Sequence, residues 1–302
     1  MEWDPTQFFR DNHTPINPFA LLILNQPINE RAFRVLKKHA CLTVCADGGA
    51  NRFYNMTKAS GREAIDLPNL IIGDLDSINP TIRSHYENLD VRVIEDEDQY
   101  STDFTKCLNY LQSHGREYIP FPASGEESAT DDNIYENENE SLPLDVLVLG
   151  GLGGRVDQAF SQIHHLYQMT QQFSSSSKKD ERTGRETGNL YLISEESITF
   201  ILHPGVNKIH TPGTNRPDVV SSSEEGAGED MYLLEENVGI IPLSGPARIT
   251  TRGFQWDVDN WKTEIGGQIS TSNHIRSEVV VVESAMSVLF TLELAGRFKR
   301  VR

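Results

Sequence analysis

Four strand-like runs in the first half of the chain lead into segments that carry glycine or aspartate, and that regularity constrains the fold more than any other feature of the sequence. Val44-Cys45-Ala46 runs into Asp47-Gly48-Gly49-Ala50, and Leu70-Ile71-Ile72 runs into Gly73-Asp74-Leu75-Asp76-Ser77. Val91-Arg92-Val93-Ile94 leads towards Asp98-Gln99-Tyr100-Ser101-Thr102-Asp103. Val146-Leu147-Val148-Leu149 runs into Gly150-Gly151-Leu152-Gly153-Gly154-Arg155-Val156-Asp157. Short continuous apolar runs are the pattern of strands buried on both faces. Phe19–Leu24 reads as a further strand, and the strand before Asp47 begins at Leu42, those before Gly73 and Gly150 at Asn69 and Leu144. Helical spacing appears over Glu30–Ala40, at Phe104, Cys107, Leu108 and Leu111 (i, i+3, i+4, i+7), and from Val156 to Met169. Alternating β and α units predict an α/β fold with a mostly parallel sheet and flanking helices. In such a sheet ligands sit beyond the carboxyl ends of the strands, where these acids and glycines gather.

The pattern then changes. Gln172–Gly188 is Ser-, Lys- and Gly-rich without periodicity and reads as a linker. Beyond it come short strand candidates: Leu190–Ile193, Ile198–Leu202, Val238–Pro242, Arg248–Thr251, Val279–Glu283 and Val288–Leu292. They predict a C-terminal all-β sandwich or small barrel. A chain of 302 residues accommodates two domains, expected here at 17–175 and 189–302. Ala123–Ser141 and Thr211–Asp230 read as polar surface insertions. Much of the formal charge of −17 lies in two patches: Gly125–Glu140 holds seven acids and Glu224–Glu236 six, neither with a Lys or Arg. This balance argues against a nucleic-acid partner, and an acidic protein that binds polyphosphate needs metal ions to offset repulsion. No apolar run approaches the roughly 20 residues that span a bilayer. The N-terminal residues lack a basic start followed by an apolar core, so no secretory signal is expected. Cys41, Cys45 and Cys107 form neither a CxxC nor a zinc spacing and read as buried free thiols, which points to a reducing, cytoplasmic setting.

Several residue patterns carry chemistry. Asp74 and Asp76, two apart in backbone expected to be extended, can point the same way and would suit Mg²⁺, which binds a few carboxylates plus substrate phosphates. The same residues could simply form a turn and cap the next helix. Thr102-Asp103 opens the amphipathic helix, where either could be the N-cap and where phosphate is attracted to unpaired N–H groups. Asp103 is the best candidate for a third metal ligand. The glycines before Arg155 allow close backbone approach to a phosphate, with Arg155 as counter-charge. The segment does not match GxGxxG in register, and GxxxxGK[ST] is absent. Further on, Gly253-Phe254-Gln255-Trp256 offers an indole for stacking, and Ile269-Ser270-Thr271-Ser272-Asn273 is a cluster of small hydrogen-bonding groups.

Taken together and in order, ADGGANRFY (46–54), IIGDLDSI (71–78), STDFTKCLNYL (101–111), LGGLGGRVDQ (149–158), GFQW (253–256) and ISTSNHI (269–275) resemble the thiamine pyrophosphokinase family. The resemblance implies an α/β domain joined to a β-sandwich, a homodimer with active sites shared between chains, and pyrophosphoryl transfer from ATP to thiamine with release of AMP. It implies that Asp74, Asp76 and Asp103 hold Mg²⁺ and act in catalysis. Asp47, Gly48, Gly49, Thr102, Gly153, Gly154, Arg155 and Asp157 would line the nucleotide. Gln99, Trp256, Ser270, Ser272 and Asn273 would face thiamine, with the Trp and Ser–Asn residues supplied by the partner chain. Tyr100 stands where many members carry a further acid. Either Asp76 or Asp103 could take the alcohol proton, although a metal-bound carboxylate is a poor base. Two competing readings are an aspartyl-phosphate phosphatase, from Asp74-Leu75-Asp76-Ser77-Ile78, and a non-catalytic nucleotide or thiamine sensor. The first wants a later Lys and a further acidic pair on the same sheet, and the only nearby pair, Asp131-Asp132, lies in a low-complexity insert. The second fits poorly with a full set of acids at Asp47, Asp74, Asp76 and Asp103.

Overall fold

A computed structural model describes residues 1–11, 13–119, 143–176, 188–217 and 232–299. Its dominant element is a ten-stranded sheet that carries both halves of the chain. In chain order the first half supplies β1 (Glu2–Trp3), β2 (Phe19–Ile23), α1 (Glu30–Leu36), β3 (Leu42–Ala46), α2 (Gly49–Ala59) and β4 (Leu70–Gly73). It continues with α3 (Pro80–Glu87), β5 (Arg92–Glu95), α4 (Asp103–His114), β6 (Asp145–Leu149) and α5 (Val156–Ser176). Strands β2 and β3 are buried at every position, which is why they read as unbroken apolar runs.

The second half adds β7 (Leu190–Ile193), β8 (Ser197–Leu202), β9 (Gly205–His210), β10 (Leu234–Pro242) and β11 (Ala247–Arg252). The last four strands are β12 (Trp261–Thr263), β13 (Ser270–His274), β14 (Val279–Ser284) and β15 (Val288–Leu294). The ten strands lie in the order β13-β10-β15-β8-β7-β6-β2-β3-β4-β5. Pairing is parallel from β5 through β7 and antiparallel from β7 onwards. A second sheet of five strands, β1-β9-β14-β11-β12, faces the antiparallel part. Ile209, Ile249, Val280 and Val282 of the smaller sheet share one apolar cluster with Val238, Ile240, Phe290 and Leu292 of the larger. The fold is therefore mixed α/β with a C-terminal antiparallel β unit. The ladder is continuous from β6 to β7, which pair in parallel, and strand direction reverses only between β7 and β8.

Some local expectations shift. Helix α1 stops at Leu36, and α5 runs past Met169 to Ser176, so the linker read from Gln172 begins inside a helix; 177–187 lie outside the described residues. Thr211–Pro217 is not a free surface insertion. Thr211 and Thr214 are buried, the Thr211 N–H donates to the Glu278 carbonyl at 2.7 Å, and Thr214 bridges to Leu234. The remainder of that insert, and the whole of Ala123–Ser141, lie outside the described residues. Cys41, Cys45 and Cys107 are free thiols, the last two fully buried. Among the described residues no helix is long and apolar enough to cross a membrane.

Candidate active site

The central parallel strand is β2, with β3 on one side and β6 on the other. Chain order reverses between β2 and β6, so the crevice expected to admit a ligand opens over the carboxyl ends of these strands. Beside it, β3 ends at Ala46 and the backbone turns through Asp47 at φ 36°, a region that Asp tolerates better than most residues. The Asp47 side chain is fully buried. Its Oδ2 accepts from the Ser77 N–H at 2.9 Å and its Oδ1 from the Ile78 N–H at 3.0 Å. Asp47 thus straps down the loop that follows β4. Burial pushes its carboxyl above the ordinary range; the Ser77 and Ile78 amides pull it down, and the Asp103 and Asp74 charges add to the rise.

Strand β4 ends at Gly73, where no side chain fits. A Cβ there would lie 2.6 Å from the Asp47 Cβ and 3.0 Å from Asp103 Oδ1. That missing atom lets three elements converge. Ligand-type oxygens of Asp47, Asp74 and Asp103 lie within 4.8 Å of one another. Asp103 is the first residue of α4, whose N-cap is Thr102, with Thr102 Oγ1 accepting from the Thr105 N–H. His165 of α5 reaches the same hydroxyl at 3.4 Å, tying α5 to the start of α4. Burial, then the charge of Asp74, raises the Asp103 carboxyl pKa against the opposing pull of Lys106.

Asp76 stands apart from this cluster. The expectation of extended backbone from Asp74 to Asp76 fails, because Leu75 adopts φ 62° and reverses the chain. Asp74 Oδ1 accepts from the Asp76 N–H at 3.3 Å, while the exposed Asp76 accepts from Ser77 Oγ at 2.8 Å. Gly48 caps α2 and Gly49 is its first residue. The glycine loop after β6 includes Gly153 and Gly154. Gly154 sits at φ 65°, which disfavours any side chain, and a Cβ there would fall 2.4 Å from Gln26 Oε1. Arg155 and Asp157 are exposed and pair with each other, Nε to Oδ1 at 3.1 Å. Gln99 and Tyr100 lie exposed on the loop before α4.

Three residues at this end of the sheet escaped the sequence reading. Asn25 packs against Gly48 and accepts from Arg52 Nε at 3.1 Å, and Gln26 lies over Gly154, so the end of β2 touches both glycine segments. The rule applied to the other strand ends, polar residues directly after an apolar run, would have found them in Leu24-Asn25-Gln26. The third is Lys106, whose ammonium lies 3.6 Å from Asp74 Oδ2 and 3.5 Å from Asp103 Oδ1, with the side chain 1% exposed.

The remaining candidates lie elsewhere. Asn273 is buried on β13; its side chain accepts from the Trp256 and His274 N–H groups and donates to the Trp256 carbonyl at 3.0 Å. It holds up a loop on which Trp256 remains 54% exposed beside His274. Ser270 is half-buried on the same strand, and Ser272 is exposed at φ 57°. Strand β13 is one edge of the large sheet and lies eight strand intervals from β4, about 38 Å along the sheet. Within one chain, Trp256, Ser270, Ser272 and Asn273 therefore do not meet the acidic cluster.

Two family profiles match this chain: the thiamin pyrophosphokinase catalytic domain over residues 33–176, and the thiamin pyrophosphokinase vitamin B1 binding domain over 223–289. Thiamine pyrophosphokinase 1 of Oryza sativa subsp. japonica is 31% identical over 286 residues, 91% of this chain and 87% of the relative. The chain belongs to the thiamine pyrophosphokinase family. It is thus an enzyme of that family, a transferase of kinase type in thiamine metabolism. Thiamine pyrophosphokinase of Saccharomyces cerevisiae is 28% identical, covering 91% of this chain and 85% of the relative. Among solved structures, thiamin pyrophosphokinase from Candida albicans aligns with TM-score 0.73 at 27% identity over 97% of this chain and 92% of that one. The yeast enzyme aligns with TM-score 0.70 at 25% identity, over 97% of this chain and 90% of that one. The catalytic profile of the thiamine pyrophosphokinases spans Asp47 to Arg155, and the vitamin B1 profile spans Trp256 to Asn273.

Proposed function

We propose that this chain transfers the pyrophosphoryl group of ATP to the hydroxyl of thiamine, giving thiamine diphosphate and AMP in a Mg²⁺-dependent reaction. The observation that carries the proposal is the convergence of Asp47, Asp74 and Asp103 over the carboxyl ends of β3 and β4, inside the segment matched by the catalytic profile. The donor set fits the metal: all oxygen, as Mg²⁺ prefers. Asp74 and Asp103 would hold it, with Asp76 from the adjacent turn, while Asp47 keeps both oxygens on backbone amides and shapes the loop. Bound there, Mg²⁺ supplies positive charge against the phosphate oxygens.

The hydroxyl oxygen forms a bond to the β-phosphorus as the bond from that phosphorus to the α-phosphate oxygen breaks, AMP leaves with that oxygen, and the hydroxyl proton is released to solvent. Such transfer asks the protein mainly for alignment and charge stabilisation. Gly48, Gly49, Gly153 and Gly154 would admit the phosphates close to the backbone, Thr102 would offer them the N-terminus of α4, and Arg155 with Asp157 would line the nucleotide. Gln99, Trp256, Ser270, Ser272 and Asn273 would receive thiamine. Because Trp256 and the cluster are eight strands apart in one chain, the proposal includes a homodimer in which each site joins 17–175 of one copy to 189–302 of the other. The three free thiols support a reducing compartment, and the cytoplasm is the setting proposed.

The test is incubation with ATP, Mg²⁺ and thiamine, following AMP. Thiamine-dependent AMP is expected, and its absence from the folded protein overturns the proposal. Asp74→Asn and Asp76→Asn should each lower kcat by two to three decades, about 3–4 kcal/mol of lost charge stabilisation, with the melting temperature held.

A further inference from the structure

Lys106 is the unusual charge of this site. It lies three residues after Asp103 on α4, hence on the same helix face, and its ammonium bridges that helix to Asp74 beyond the end of β4. The lysine side chain is 1% exposed, whereas the Asp74 and Asp103 side chains keep 25% and 32%. The cation is therefore sealed beneath the carboxylates while their outer side faces solvent. A buried ammonium has lost its water and is held by its carboxylate partners, so it cannot swing away when another cation arrives. Asp74 Oδ2 and Asp103 Oδ1, the oxygens turned to Lys106, are also oxygens that a metal would want.

We propose that Lys106 is a positioning residue that occupies Asp74 and Asp103 in the resting enzyme and weakens their hold on a free divalent cation, so that the metal binds well only together with substrate phosphates. The proposal rests on the metal site described above. Three carboxylates and one ammonium leave a net charge of −2, enough to attract a dication but opposed at short range by the ammonium. Two cations about 6 Å apart at an effective dielectric near 20 repel strongly enough that removing one should tighten metal binding by at least about tenfold. If Lys106 served only to brace α4 against β4, its loss would loosen the cluster and weaken metal binding or leave it unchanged. The two roles differ in sign.

The experiment titrates Mn²⁺ without nucleotide and follows free Mn²⁺ by electron paramagnetic resonance. It compares wild type, Lys106→Met and Lys106→Arg, with circular dichroism to confirm folding. Lys106→Met is expected to bind Mn²⁺ at least about tenfold more tightly than wild type, and Lys106→Arg, which keeps the charge, to stay within about threefold. Lys106→Gln replaces Lys106→Met if the latter does not fold. In wild type, a non-hydrolysable ATP analogue should lower free Mn²⁺ below the level set by protein alone plus analogue alone, equivalent to protein-bound Mn²⁺ held at least about tenfold more tightly, a measurement that needs no variant. Unchanged or weaker binding in the folded neutral variant overturns the role of Lys106, as does a wild-type affinity indifferent to the analogue. Asp74→Asn separates this from failure of the site itself: if Mn²⁺ binding survives that substitution unchanged, the metal site is wrong.

Discussion

Replacing Gly73 by alanine tests the geometry of the acidic cluster with a single methyl group. The new Cβ would fall 2.6 Å from the Asp47 Cβ, 3.0 Å from Asp103 Oδ1 and 3.2 Å from Asp103 Cγ. Carbon atoms in contact sit near 3.5–4.0 Å, so something must move by about 1 Å. Asp47 is poorly placed to yield, because both its oxygens are held by the Ser77 and Ile78 amides and its backbone occupies a restricted region. The displacement therefore falls on the end of β4, which carries Asp74, or on the start of α4, which carries Asp103. Overpacking of this kind costs about 1–3 kcal/mol, or a fall in melting temperature of roughly 2–5 °C in a chain of this size. A misplacement of about 1 Å at a reacting centre can cost on the order of 10²-fold in rate. The assay is thiamine-dependent AMP release at saturating substrates and Mg²⁺, with thermal unfolding of the same samples. Gly296→Ala is the control, since its Cβ would meet nothing within 4 Å, and it should behave as wild type. A folded Gly73→Ala enzyme with wild-type kcat would show that the convergence at Gly73 is irrelevant to turnover.

Two further predictions address pH and assembly. Burial lifts the Asp145 carboxyl to about 7, against the pull of hydrogen bonds from the Asn189 amide and Asn17. A pKa raised on folding favours the protonated native state, so the associated stability is complete below about pH 4 and is lost as pH rises through about 7, by at most about 4 kcal/mol. Asp145→Asn keeps an acceptor for the Asn189 N–H without a charge. Its melting temperature relative to wild type should climb between pH 5 and pH 8, and a constant difference would refute the buried acid. For assembly, mixed Asp76→Asn and Trp256→Ala chains in a dimer with shared sites should recover about a quarter of wild-type activity. Activity fixed at the mean of the two mutants, once subunit exchange is verified, would place each site within one chain.

The inner parallel strands were legible because burial on both faces keeps the runs largely apolar; β2 and β3 are each five buried residues, whereas the edge strand β5 buries none of its four. The same logic located the strand ends and, through them, Asp47, Asp74 and Asp103. Helix α3 was not legible: it is eight residues long and buries only Ile82 and Tyr86, too little to establish a period. Strand β13 was not legible as a strand because Ser-Thr-Ser-Asn-His carries no apolar side chain and buries only Asn273 at a sheet edge. Continuity of the sheet across both halves depends on which strands become neighbours, information that no single segment carries. Leu75 shows the limit on fine geometry, since nothing in Gly-Asp-Leu-Asp-Ser announces a leucine at positive φ. Lys106 escaped notice because a lysine in an amphipathic helix is ordinarily solvated, and here the helix turns it inward beneath two acids.

The pairing of β1 with β9 has a consequence for how the protein is made. Trp3 packs against Tyr191, Phe200 and His203, and its indole N–H donates to Asn207 Oδ1, 204 positions along the chain. At about 5–20 residues per second, a ribosome needs roughly 10–40 s to deliver those partners. Through that interval β2 to β6 can already assemble their parallel sheet, while the two residues of β1 wait without a strand to join. At this edge of the smaller sheet the order of synthesis and the order of docking are reversed: β1 leaves the ribosome before β2 and settles only after β9 has followed it.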